Sequence, residues 1–447
     1  SRYNAACLDS IGNALPFDPR PGGPVYGISL NDTALYIGCD APCMYAYPRN
    51  NAACINLTNG EANGWNPNIS DYVSSLVVSP DNTIFIGGNF QTVNGQTRNH
   101  IAQTDLVFGS PTSFNPDVNG AVRAMTLKDG KLYYCGFFST VGGTPRTNGA
   151  ATEVSSNTLL PWNPTPNGTV NVLLAYNDKI FAGGFFTSIG GLAINYAAVL
   201  DTISGYSSPT WNTNANNGVY TVVPYNGTLY TGGWFSSLQS QASATVGAVN
   251  ISAASLNSWN PNADGFLNTL YEYNGKLYAG GDFQNIGGQP RGRIAELNSA
   301  TGLSSALNFF TDKAVNTLLV SGDTLYAGGN FIIADTNVHA YFCAYRLQTI
   351  IGSNEILDNV QIKIFPNPTS GKFELRIIED DGSSSLTTSS RFSKVELRIC
   401  NVLGEIVYQS HIVNPTSYID LSSFASGIYF LNVSNEQNSF NLKIIHQ

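Results

Sequence analysis

Ile180-Phe181-Ala182-Gly183-Gly184-Phe185-Phe186 is one of seven near-copies of a single phrase. The copies begin at residues 35, 84, 132, 180, 229, 277 and 325, so successive starts differ by 49, 48, 48, 49, 48 and 48 residues. A fixed period of this size marks a repeat architecture, in which each unit buries its apolar face against its neighbours. The phrase alternates large apolar with small residues and is rich in Tyr, Phe and Ile, which predicts a strand. A second apolar run lies just upstream, as at 170–174, 219–223 and 315–320. Between the two runs stand Asp129-Gly130, Asn177-Asp178, Asn226-Gly227, Asn274-Gly275 and Gly322-Asp323. Such pairs supply the positive φ values of tight turns and predict an antiparallel hairpin.

About 14 residues past the second Gly comes a third apolar run, such as Ala197-Ala198-Val199-Leu200 or Ile294-Ala295-Glu296-Leu297. A fourth ends at an aromatic: Trp65, Phe114, Trp162, Trp211 or Trp259, each followed by Asn. Four short strands per unit and no sustained helical periodicity predict an all-β chain whose first 347 residues form a seven-bladed β-propeller. Ala5-Ala6-Cys7-Leu8 and Phe17-Asp18-Pro19 carry the third- and fourth-strand signatures without a preceding hairpin, so the N-terminal segment is expected to complete the last blade. Phe342-Cys343-Ala344-Tyr345 is an eighth third-strand copy where seven are needed, and the sequence leaves open which one pairs there.

After Leu347 the period stops and charged residues thicken. Residues 348–359 are read as a linker, and 360–447 alternate apolar and polar runs, as in a small β-sandwich. Within it, 378–394 is read as a long exposed loop.

The repeats resemble the delta-sixty type of bacterial propeller over about residues 4–347. Asp129-Gly130-Lys131, Gly142-Gly143, Arg146 and Gly287-Gly288-Gln289-Pro290-Arg291 carry the likeness, and Cys39 and Cys135 depart from it by replacing one Gly of the pair. The resemblance implies no catalytic activity. The tail resembles the type A C-terminal sorting domain of the type nine secretion system of Bacteroidota, through Pro366, Asn367, Pro368, Gly371, Gly404, Leu421, Gly427, Tyr429 and Lys443. That resemblance implies export across the outer membrane to a secreted or cell-surface location. It also implies that residues 360–447 meet the translocon and an outer-membrane shuttle or sortase.

Composition narrows the partners. A net charge of −9 argues against nucleic acid, which needs a basic face. No apolar run approaches a membrane span. The chain opens at Ser1 with no initiator Met or signal peptide, as processed material would. Seven cysteines suit an oxidising compartment, and Cys7, Cys39, Cys43 and Cys54 are candidates for a disulfide near the ring closure. The four His are scattered, so no metal is expected, and no motif implies a cofactor. Asn115-x-Asp117-x-Asn119 and Asn260-x-Asn262-x-Asp264 look superficially like calcium loops, but each has one carboxylate, which favours turns. Arg49, Arg98, Arg146 and Arg291 share one repeat position, where a structural role on nearby carbonyls is expected. Asp9-Ser10-Ile11, Asp32-Thr33-Ala34, Asp201-Thr202-Ile203 and Asp323-Thr324-Leu325 match an O-glycosylation pattern at Ser10, Thr33, Thr202 and Thr324.

The residue after the Gly pair varies between repeats: Asp40, Asn89, Phe137, Phe185, Trp234, Asp282 and Asn330. Variation at a fixed scaffold position is where site chemistry can be placed. Phe137, Phe185 and Trp234 would form an aromatic strip able to stack on sugars or apolar side chains, flanked by Asp282, Asn330 and Asp40. No catalytic motif is present. The sequence therefore predicts a non-catalytic binding or adhesion protein that takes a glycan or a surface protein. Its alternatives are a polysaccharide-degrading enzyme using rim acids such as Asp40 and Asp282, and a structural component of an extracellular surface assembly.

Overall fold

The computed structural model describes residues 7–8, 21–31, 34–42, 49–57, 60–305, 307–334, 337–338, 340–347, 360–379, 395–401, 405–412, 416–434 and 439–447. The chain divides into two compact units, 1–347 and 348–447. The segment read as a linker, 348–359, lies outside the described residues.

In the first unit the described residues include seven sheets built on an inner hairpin plus a third strand, with short two-stranded ribbons beside five of them. In the third repeat the inner strand Val122–Lys128 pairs antiparallel with the middle strand Lys131–Gly136, which pairs with Gly149–Glu153. The hairpin turn is Asp129 and Gly130, with φ of 48° and 72°, the left-handed backbone that such a pair favours.

The expected fourth strand is much reduced. Thr158–Leu159 adds two residues in the third repeat. Elsewhere a single bridge remains, as from Ile55 to Ala62 or Leu200 to Ser207. The aromatic that follows serves the neighbouring repeat instead. Trp162 is fully buried, stands edge-on to Tyr133 at 5.2 Å and donates Nε1–H to the Asp201 carbonyl of the next repeat at 3.0 Å. Trp65, Trp211 and Trp259 donate likewise to the carbonyls of Asp105, Ile251 and Asn298. A buried indole requires an acceptor for its N–H, and here the acceptor locks one sheet to the next.

The Gly pair has two jobs. A Cβ on Gly183 would stand 2.9 Å from Val219 Cγ1 of the next sheet, so the first Gly lets the sheets approach. A Cβ on Gly184 would run into the Thr169 carbonyl oxygen, so the second admits the backbone that leads into the inner strand. Cys135 replaces a first Gly and is fully buried, with its thiol pushed up by burial.

Both spare third-strand copies find places. Phe342–Arg346 pairs antiparallel with Thr324–Gly329, and Cys7–Leu8 adds in parallel outside it, with Cys7 opposite Ala344. The last sheet packs on the first: Asn316 Nδ2 donates to the Val25 carbonyl at 3.3 Å, and a Cβ on Gly328 would lie 2.6 Å from Val25 Cγ1. The sheets thus close into a ring, and the first unit is a β-propeller.

The second unit holds a three-stranded sheet, Val360–Phe365, Lys372–Glu379 and Thr416–Asp420, and a four-stranded sheet, Ile406–Ile412, Val395–Asn401, Gly427–Ser434 and Ser439–His446. Its core includes Leu375, Leu397, Ile399, Leu421, Leu431 and Ile444. The strand Lys372–Glu379 runs into the segment read as loop from 378; residues 380–394 lie outside the described residues.

Candidate functional site at the mouth of the ring

Every inner strand carries a β-bulge at its second residue. Val122 pairs with Gly136 and Ala124 with Cys135, which leaves Arg123 outside the ladder. A bulge re-aims the side chain it frees. The equivalent residues are Tyr26, Ser74, Asn171, Tyr220, Asn268 and Asn316, and these six line one cavity of about 400 Å³ together with Arg123, Asp40 and Tyr72. At least one residue from each sheet reaches this cavity, so it sits on the axis of the ring.

The variable residue after the Gly pair is brought to the same end by its backbone. Trp234 N–H donates to the Gly218 carbonyl at 2.8 Å, Phe185 N–H to Thr169 at 2.7 Å, and Phe137 N–H to Ala121 at 2.7 Å. Asp40, Asn89, Asp282 and Asn330 bond in the same way to Pro24, Tyr72, Phe266 and Ala314. Each acceptor stands two residues before a bulge. The repeat therefore places two freely variable side chains per sheet at the mouth.

The six residues picked from the sequence divide into groups there. Phe185 and Trp234 are edge to face at 6.2 Å and continue through Tyr220, 5.5 Å from Phe185, and Phe266, 4.7 Å from Trp234. Phe185 fits because Gly218 lies beneath it; a Cβ there would be 2.5 Å from Phe185 Cε1. Trp234 is 46% exposed and Phe266 40%. Phe137 is exposed but has no ring partner among the described residues. Asp282 is tied to Arg293 Nε at 3.0 Å. Asn330 accepts from Asn316 Nδ2 at 3.1 Å. Asp40 lines the axial cavity.

Around the mouth, Ser74 Oγ donates to the Val122 carbonyl at 2.7 Å and Asn268 Nδ2 to Val315 at 3.0 Å, each crossing to the next sheet. Arg123 behaves differently. The repeated arginines Arg49, Arg98, Arg146 and Arg291 each donate Nη2–H to a carbonyl 14 residues on. Arg293, Arg346 and Arg376 hold carboxylates. Among the described arginines, Arg123 alone makes no hydrogen bond or ion pair. Burial raises the Tyr26 phenol, reinforced by Asp40 and Tyr72 and opposed by Arg123. Burial also raises Tyr220, again opposed by Arg123. Both phenols are therefore neutral donors at ordinary pH.

The sequence reading overlooked Arg123, Asn171, Tyr220 and Phe266. The signal was available: the bulge position also recurs in phase with varied identity. What hid it was the bulge, since strict alternation assigns that residue to the strand.

Asp264 Oδ1 accepts from the N–H groups of Gln284 and Asn285 at 2.7 and 2.8 Å, and Asn119 Oδ1 accepts from Ser139 and Thr140, so both calcium-like stretches cap loops. Among the described residues no cluster of acids, His and Cys could hold a metal. Cys39 is disulfide-bonded. Cys54, expected as a disulfide candidate, is instead free and buried: it accepts from Asn63 Nδ2 at 2.8 Å, and burial pushes its thiol up to about 11. Cys43 lies outside the described residues, and of Cys7 only the backbone is described. Ser10 and Thr33 also lie outside them. The Thr202 carbonyl accepts from Tyr133 Oη at 2.9 Å, and Thr324 Oγ1 donates to Asp323 at 3.0 Å. A further cavity of about 440 Å³, between Tyr176 and Trp211, is walled by hairpin and lock residues of the scaffold.

In the tail, Pro366 and Pro368 follow cis peptide bonds. Asn367 between them clasps the last strand, donating Nδ2–H to the Lys443 carbonyl at 2.7 Å and accepting from Ile445 N–H at 2.9 Å. Gly371, at φ 108°, has no room for a Cβ beside Ser422, and its carbonyl accepts from Leu421 N–H at 2.7 Å. Leu421 is fully buried, and Tyr429 Oη donates to the Ala425 carbonyl at 2.6 Å. Lys443 is exposed; Gly427 has open space where a Cβ would be. Gly404 lies outside the described residues.

Comparison with known proteins agrees with this division. Residues 363–447 match the secretion system C-terminal sorting domain. Residues 79–106 and 274–302 match a beta-propeller domain of unknown function (DUF5122). No curated protein matches the chain. Among solved structures, the WD40 beta-propeller domain of Doa1 superposes with a TM-score of 0.50 at 10% identity, over 69% of this chain and 90% of that one, a likeness of fold alone. PorZ, a surface component of the type-IX secretion system of Porphyromonas gingivalis, gives a TM-score of 0.47 at 13% identity, over 98% of this chain and 61% of that one. The Pan2 WD40 domain of Neurospora crassa gives 0.48 at 13% identity, over 73% and 90%. The protein is thus a propeller fused to a sorting domain. The tail directs it through the type nine secretion system to the cell surface or the extracellular space. Among the described residues no helix is long and apolar enough to cross a membrane.

Proposed function

We propose that the exported propeller is a non-catalytic binding protein that captures glycans at the mouth of its ring. The observation that carries this reading is the half-exposed arc of Tyr220, Phe185, Trp234 and Phe266 beside a polar cavity. Aromatic faces next to amide and hydroxyl groups suit sugar rings, which offer an apolar face and a hydroxylated edge. The paired acids that hydrolysis would need are poorly supported, because the Asp282 carboxylate is engaged in an ion pair with Arg293.

The test is incubation of the intact chain with a panel of polysaccharides, reading retention and soluble products. Retention without products, weakened by Trp234→Ala, is the expected result. Released products would make it an enzyme. Neither retention nor products would remove the glycan reading and favour a protein partner or a structural coat.

A further inference from the structure

Two neighbouring sheets leave polar donors unused in one cavity. Arg123, from the third sheet, carries a guanidinium with no hydrogen bond or ion pair, although every other described arginine has a partner. Asn171, its counterpart in the fourth sheet, has its Nδ2 shielded from solvent and without an acceptor. The equivalent amides Asn268 and Asn316 both donate to a carbonyl of the next sheet. Arg123 is exposed and both residues line the cavity, so an acceptor supplied from outside reaches the guanidinium directly and satisfies the Asn171 amide once that side chain turns toward it. A guanidinium presents parallel N–H groups that match the two oxygens of a carboxylate.

We propose that Arg123 and Asn171 bind the carboxylate of an acidic sugar in the axial cavity, while the Phe185–Trp234 arc carries the neutral sugars that follow. The proposal rests on the glycan reading above and names the chemistry of the ligand's end. A volume of about 400 Å³ is on the scale of a small-ligand pocket. The chain's net charge of −9 provides no long-range attraction for a polyanion, and Asp40 in the same cavity repels a second carboxylate. The site therefore selects an isolated or terminal acid, not a run of them.

The test is calorimetric titration of the intact chain with two probes. One is a tetrasaccharide ending in glucuronic acid; the other is the same tetrasaccharide with that carboxyl reduced to the alcohol. The acid is expected to bind about tenfold tighter, the order of a charge-assisted hydrogen bond. Arg123→Gln should bring the two affinities together, and Arg123→Lys, which keeps the charge and loses the fork, should fall between. Trp234→Ala should weaken both probes and keep their ratio. The Arg123 guanidinium makes no hydrogen bond or ion pair among the described residues, so its variants should melt with the parent. Equal binding of both probes by the parent would overturn the carboxylate site and leave the glycan reading standing. A preference that survives both Arg123 variants would also overturn it. If neither sugar binds, both readings fail. Arg123-dependent binding of tetraglycine in place of the sugars would assign the site to a peptide terminus and overturn the proposal.

Discussion

Gly233 and Trp234 are adjacent in the chain and opposite in role. Gly233 has no room for a Cβ against the Gly218 carbonyl. Trp234 is 46% exposed at the ring's mouth, and Phe235 beyond it is fully buried. The same alternation of fixed and free positions runs round the ring, at Gly88-Asn89-Phe90 and Gly329-Asn330-Phe331. The lesson is that one phrase holds the scaffold and also supplies the proposed site. The glycine and the buried aromatic hold the backbone, and the residue between them is released from packing, so its identity is free to serve recognition.

That contrast can be broken first at the scaffold. Trp162→Ala should cost about 3–5 kcal/mol in urea unfolding, because it empties a buried slot and leaves the Asp201 carbonyl with the Gly205 N–H alone. Trp162→Phe should cost much less, since Phe114 fills the same slot in the preceding repeat. A small loss for the alanine variant would mean the repeats do not depend on this lock. Gly233→Ala comes next, at about 2–3 kcal/mol from overpacking against backbone. An unchanged urea midpoint would show that the close approach is absent in solution.

Acid should loosen the outer turns more gently. The Ser204 N–H and hydroxyl hold the Asp201 carboxyl below the usual carboxylate range. A depressed folded value means the contribution is complete above the unfolded pKa of about 3.9 and disappears as pH falls through the lower folded value. Asp201→Asn keeps an acceptor but cannot titrate. Its urea midpoint should therefore fall less than the parent's between pH 5 and pH 3, and parallel profiles would sink the assignment. The smallest stability effect is expected at the variable position. Trp234→Ala should change unfolding by about 1 kcal/mol or less while glycan retention drops. A large loss of stability there would erase the distinction between the two neighbours.

Much of the scaffold was legible because it repeats. The turn residues between the paired runs, the Gly pair and the aromatic before Asn each restate a local rule in several repeats. The fourth strand was overestimated because the recurring aromatic-Asn signature was read as a strand end, yet the indoles are spent on the neighbouring repeat, not on the sheet edge. Cys54 was misjudged because proximity along the chain to Cys39 says nothing of the side chains between; Asn63 and burial occupy that thiol. In the tail, Asn367 and Gly371 were flagged only by likeness, and the structure supplies their reasons: a clasp on the last strand and a backbone that excludes a side chain.

The sequence by itself determined the period, the all-β class, the break after residue 347 and the sorting tail. These follow from local propensity, turn chemistry and ordered motifs, none of which needs long-range contacts. Only the tertiary structure decided that Arg123, Asn171, Tyr220 and Asp40 meet in one cavity. Their separation along the chain carries no such information. It takes closure of the ring to bring the bulge of every sheet to a common axis, and a bulge is a change of register that alternation along a single strand does not reveal.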